Sequence, residues 1–171
     1  MMKTRQELET EGTYLNGDIV PEWFKKKCDS CSIKTRTARW LMRAKQAHAP
    51  CVLHDWDYFC IALAYANENV RKEHERLSAD FRLKQNRAAV AKRRWIGRVY
   101  GALYFNGVRI GGEKHVNKTV GELLLLAPDN YENVVDLHNR IKLRFPDHDM
   151  AWLDPIYAKM IDQAYHSRGH E

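Results

Sequence analysis

The sequence predicts a mainly α-helical single domain over residues 1–171. It is built on a central antiparallel helix pair, with further C-terminal helices and an irregular N-terminal segment. Three observations lead there. Apolar residues recur at spacings of three and four between Cys51 and about Glu68, at Leu53, Trp56, Phe59, Cys60 and Leu63. Stop signals at Pro50, "NG" and "GG" within 106–112, and Pro128 divide the chain into helix-length pieces. Internal repeats, low-complexity tracts and linkers are missing throughout.

Residues 1–35 read as loop, with one short strand at most. "LNGDIVPEWF" carries turn residues at Asn16, Gly17 and Asp18, and Pro21 excludes a continuing helix. "TRTARWLMRAKQAHA" (35–49) is a helix pattern, with Trp40, Leu41 and Ala44 or Lys45 one turn apart. Pro50 stops it and suits the first turn of the next helix, Cys51 to about Glu68. A second long helix is expected from about Arg71 to Phe105. Within it Gly97 and Gly101 stand one turn apart, which permits close helix approach at some cost in helix propensity. "NKTVGELLLLAP" forms a short helix closed by Pro128, and residues 130–145 and 150–166 give two amphipathic helices joined by "FPDHD".

Composition narrows the function classes. At 171 residues, 44% hydrophobic and 29% charged, with five Trp and eight Tyr, the chain can bury a core without staples. The longest apolar run, "YFCIALAYA" (58–66), falls well short of the roughly 20 residues that span a bilayer. The start, "MMKTRQELETEG", has no apolar signal core, so a cytoplasmic origin is expected, compatible with later carriage in a virion. The net charge of +6 favours anionic partners, whether phospholipid surface, nucleic acid or acidic protein.

"PCVLHDWDYFC" (50–60) is the densest chemistry in the chain. On a helix His54 and Tyr58 share a face, and Ile61, Ala62 and Tyr65 continue it. Asp55 is turned about 100° away, so it can flank the same cleft. A histidine that takes protons needs an acceptor for its second nitrogen. The next helix offers Asp80 in "LSADFR", set beside apolar Leu77 and Phe81. His54 and Asp80 therefore make a candidate dyad, and a plain core-facing histidine is the alternative. The cysteines give another reading: Cys28-x-x-Cys31 followed by Cys51-x-x-His54 has zinc-site spacing, with Cys60 as an alternative fourth ligand. Asp57 places a charge where an apolar residue is expected.

The pattern C-x-x-H-D-x-x-Y at Cys51, His54, Asp55 and Tyr58, followed by Ala79-Asp80, resembles phospholipase A2 enzymes, and the compact phospholipase A2 domains of viral capsids in particular. It looks closest to a group of phage-encoded proteins with an H-D-W-x-Y helix, an Ala-Asp pair and an Arg/Gly-Gly ending, here "VRIGG" (108–112). The resemblance covers about residues 13–112 as a core, with 113–171 as a helical extension. It implies hydrolysis of membrane phospholipid esters, with His54 as base, Asp80 as its orienter, Tyr58 in support and Asp55 as a calcium ligand. The family's glycine-rich calcium loop has only "TYLNGDIV" (Tyr14, Gly17, Asp18) as its counterpart. It also implies an oxidised option, a bridge from Cys28 or Cys31 to Cys51. The competing expectation is a non-enzymatic phage virion or host-interaction protein, stabilised by zinc, with phage structural proteins as partners.

The basic run "RLKQNRAAVAKRRWIGR" (82–98) holds seven Lys or Arg beside Trp95. It suits lipid or nucleic-acid phosphates, or simply a solvated helix face. His115, His138, His148, His166 and His170 are expected at the surface, and "DPIYAKMIDQAY" in the core or an interface.

Overall fold

A computed structural model describes residues 19–28, 48–65, 69–91, 93–111, 117–146 and 154–167. Among these residues the chain forms seven helices and no strand: α1 (Glu22–Lys27), α2 (His48–Ala64), α3 (Asn69–Ala89), α4 (Arg94–Gly111), α5 (Val120–Leu125), α6 (Tyr131–Arg144) and α7 (Asp154–Ser167). The helical class is as the sequence predicts. The helix expected over 35–49 lies outside the described residues, except that His48 and Ala49 already belong to α2.

α2 is the central element. It is buried from Pro50 to Ala64 on every side except at Asp55, which is half-buried. Trp56, Phe59, Ile61, Leu63 and Ala64 are at most 1% exposed. One continuous core joins them to Val20 and Phe24, to Leu123, to Leu137 and Ile141 of α6, and to Ile156 and Met160 of α7. The C-terminal helices thus share the core of the proposed 13–112 unit. His138 is half-buried and stacks edge-on to the buried Tyr157 ring at 4.5 Å, while His166 is exposed.

Three local expectations are corrected. The segment around Pro21 is helical: Pro21 occupies the N-cap of α1, Glu22 lies in its first turn and Lys25 to Lys27 in its last. That charge order suits the helix dipole, and six residues are too few for an apolar period to show. Trp23 and Phe24 of α1 pack edge-on against Trp56, at 5.8 and 5.0 Å.

The single helix expected over 71–105 is two helices, α3 and α4, which part after the turn at Val90 and the bend at Ala91 and pack as a tight antiparallel hairpin. Gly97 and Gly101 explain the closeness. A Cβ on Gly97 would come within 2.4 Å of the Ala88 carbonyl, and one on Gly101 within 2.6 Å of the Lys84 carbonyl. The partner that these glycines admit is the preceding half of the same segment.

α4 also runs through Asn106-Gly107 and ends at Gly111. The Arg76 guanidinium reaches it from α3 and donates to the carbonyls of Val108 and Arg109, both at 3.2 Å. Those last-turn carbonyls otherwise need water or a local cap.

α5 opens on a capping box in which Thr119 and Glu122 satisfy each other's backbone amides.

Candidate active site

The site lies between α2 and α3. α3 buries an unusual face, with Lys72, Arg76, Ala79, Asp80, Leu83, Asn86 and Arg87 at helical spacing. Leu77 and Phe81 are 46% and 49% exposed, so Asp80 does not lie on their stripe. It points the other way, into α2, and is fully buried.

Asp80 Oδ1 lies 2.8 Å from His54 Nε2 and accepts from the Tyr58 hydroxyl at 2.5 Å. His54 and Tyr58, one turn apart on α2, tilt together with ring centroids at 4.1 Å. The other carboxylate oxygen, Oδ2, accepts from Arg109 of α4 at 3.2 Å. The predicted His54, Tyr58 and Asp80 are therefore brought together.

Three more residues close a ring. Arg109 also donates to Glu73, Arg76 donates to Glu73 at 3.1 Å, and Arg76 Nε approaches the Tyr58 hydroxyl at 3.4 Å. The circuit runs Tyr58, Asp80, Arg109, Glu73, Arg76 and back to Tyr58, with His54 attached at Asp80. Two carboxylates and two guanidiniums balance, which makes burial of Asp80 and Arg76 tolerable.

Burial acts against the Asp80 carboxylate, but the bonds from His54, Tyr58 and Arg109 outweigh it and hold its pKa below the ordinary value. Burial likewise opposes Glu73, which the two arginines nevertheless keep low. The Tyr58 hydroxyl is pushed far up by burial and by the adjacent carboxylate, so it remains a donor. Because an ionised Asp80 only accepts, the His54 Nε2 must carry the proton that binds it. Nδ1 is then the basic nitrogen of the neutral ring.

The sequence reading missed Arg76, Arg109 and Glu73. Arg109 sits inside the "VRIGG" ending, and Arg76 stands one turn before Asp80 on α3, so both carried a positional signal.

Asp57 is also corrected. It is 2% exposed and is clasped by Arg82 through both oxygens at 3.1 Å and by Arg144 of α6. Its charge ties α2 to α3 and α6 rather than disturbing an apolar face.

No family model, curated protein or solved structure matches the chain.

Among the described residues no three His, Cys, Asp or Glu side chains gather as a metal site. Asp55 is half-buried on α2, beside the dyad histidine. The loop of Tyr14, Gly17 and Asp18 lies outside the described residues, so the oxygens that calcium wants beyond Asp55 are not among them. Of the zinc set, Cys31 is likewise outside. Cys28 Sγ lies 3.8 Å from the Lys25 carbonyl and packs on the large core. Cys51 is buried in a separate cluster with Leu83 and Tyr104. His54 is engaged with Asp80. Cys28, Cys51 and Cys60 form no disulfide with one another.

Proposed function

We propose that this chain is a phospholipase A2-like hydrolase of the phage or viral kind, acting on membrane phospholipid esters through His54 and Asp80. The observation that carries the reading is the 2.8 Å contact between His54 Nε2 and the fully buried Asp80 carboxylate. The two residues are 26 positions apart, and each was singled out on chemical grounds.

In the mechanism, His54 Nδ1 draws a proton from a water molecule as that water attacks the ester carbonyl. The imidazolium that forms is stabilised by Asp80, whose negative charge Tyr58 and Arg109 hold in place. The same proton then passes from His54 to the departing alkoxide.

A second reading is favoured by one observation: the ring closes on itself, and His54 is only 5% exposed. A non-enzymatic virion or host-interaction protein could keep such a ring purely to clamp α2, α3 and α4.

Release of free fatty acid from phosphatidylglycerol vesicles separates the two. Hydrolysis by the wild type that is lost in both His54→Ala and Asp80→Asn supports the enzyme. An inactive wild type whose melting temperature drops in these variants supports the clamp.

A further inference from the structure

Solvent-facing sides of helices in globular proteins are normally polar. The outer side of α4 is not. Trp95, Val99, Leu103 and Ile110 are 64%, 52%, 48% and 87% exposed. At 100° per residue they fall within an arc of about 80°. The opposite side carries Gly97, Gly101 and Tyr104, buried against α3. The stripe is therefore not a misplaced core face, because the core face of α4 is already used.

The charge around it is one-sided. Residues 81–112 contain eight Lys or Arg and no Asp or Glu. Arg82 and Arg109 turn inward to Asp57 and Asp80, and Arg87 is buried beneath Tyr100 and Tyr104. Arg93 and Arg98 are exposed at the stripe.

We propose that the outer face of α4 docks on an anionic phospholipid surface, with the Trp95–Ile110 stripe entering the interface and the flanking arginines meeting headgroup phosphates. A bilayer boundary satisfies both halves of this surface at once: acyl chains receive the apolar stripe, and phosphates receive the cations. Trp suits that boundary because its ring is apolar and its N–H is polar. No helix among the described residues is long and apolar enough to cross a membrane, so α4 lies on the surface. A nucleic acid answers the arginines but not the apolar stripe. A second copy answers the stripe but sets the exposed Arg93 and Arg98 of two α4 faces, neither carrying an acid, against each other.

The proposal deepens the hydrolase reading, since Ile110 adjoins Arg109 and docking brings that end of the ring to the lipid. It is tested separately, with ether-linked lipids that an esterase does not cleave.

Cosedimentation with vesicles of ether-linked phosphatidylglycerol is compared with ether-linked phosphatidylcholine, for the wild type and for Val99→Glu/Leu103→Glu. Both substituted positions are exposed, and circular dichroism checks the fold. The expected result is salt-sensitive binding to phosphatidylglycerol, weaker binding to phosphatidylcholine, and a loss of about tenfold or more in the variant. Fluorescence quenching by brominated acyl chains should also fall in Trp95→Phe. Equal binding by wild type and variant, equal binding to both lipids, or unchanged quenching in Trp95→Phe overturns the proposal. So does a wild-type dimer that the double substitution makes monomeric without vesicle binding, or duplex DNA bound equally by both proteins in place of vesicles.

Discussion

His54 Nε2 and Asp80 Oδ1 lie 2.8 Å apart across the α2–α3 interface, and the Tyr58 hydroxyl donates to that same oxygen. One carboxylate thereby fixes both the tautomer of the histidine and the rotamer of the tyrosine. Asp80→Asn keeps the size but brings an amide that can turn its N–H toward Nε2. Ester hydrolysis should fall by about 10²–10⁴-fold, the range attached to a positioned general base. Tyr58→Phe leaves both dyad members in place, so its loss should be clearly smaller. Initial rates of fatty-acid release from phosphatidylglycerol vesicles check the order.

Arg109→Met removes the donor to Asp80 Oδ2 and one donor to Glu73. Both carboxyls sit below their ordinary pKa in the fold, although burial opposes each. Groups lowered in this way contribute stability that is complete above their unfolded pKa values, about 4. That stability is lost as pH falls through the lower folded values. The variant should therefore be destabilised by about 1–3 kcal/mol at about pH 7, with the difference from wild type shrinking as the carboxyls protonate below about pH 4. Urea melts across that range give the curve, and a pH-independent difference would count against the assignment.

Asp57 is held by Arg82 and Arg144, and the Arg144 side chain is only 9% exposed. Asp57→Leu supplies the apolar residue that the local pattern suggests, yet removes the buried carboxylate that both guanidiniums clasp. A cost of about 3–5 kcal/mol is expected. Adding Arg144→Met should recover part of it, because the buried charge that Asp57 meets is then removed as well. A double-mutant cycle from urea melts measures the coupling.

Gly97 and Gly101 separate geometry from propensity. Alanine favours helix over glycine by about 1 kcal/mol, so propensity alone predicts a gain at either position. The carbonyls of Ala88 and Lys84 stand where the new Cβ atoms would lie. Gly97→Ala and Gly101→Ala should each destabilise by about 1–3 kcal/mol as α4 is pushed off α3. Gly107, on the same helix, has nothing within 4 Å of such a Cβ. Gly107→Ala should be neutral or stabilising, and the three melting temperatures together decide the point.

The contact of His54, Tyr58 and Asp80 was legible because i, i+4 spacing on one helix and an unusual acid on the next are local signals. The reason offered for Asp80 was wrong in detail: Leu77 and Phe81 are exposed, and Asp80 belongs to a buried polar face running from Lys72 to Arg87. A periodicity argument that counts only apolar residues cannot see a buried face made of charges. The same limit hid the Asp57 clasp, whose partners are 25 and 87 residues away.

By itself the sequence determined the helical class and the approximate spans of α2, α5, α6 and α7, and it offered His54 with Asp80 as one candidate pairing. These follow from spacing along one helix or between neighbours, where backbone geometry leaves few choices. Tertiary structure decided the break after Val90, the extension of α4 past Asn106-Gly107, and the ring through Arg76, Arg109 and Glu73. Each depends on groups from different helices meeting. "RAAVAKRR" carries no breaker residue; α3 and α4 separate there because two glycines let one helix lie against the backbone of the other. α4 continues because an arginine from α3 satisfies its last carbonyls. Such contacts depend on which faces finally pack together, and that is settled by the whole core rather than by any stretch within it.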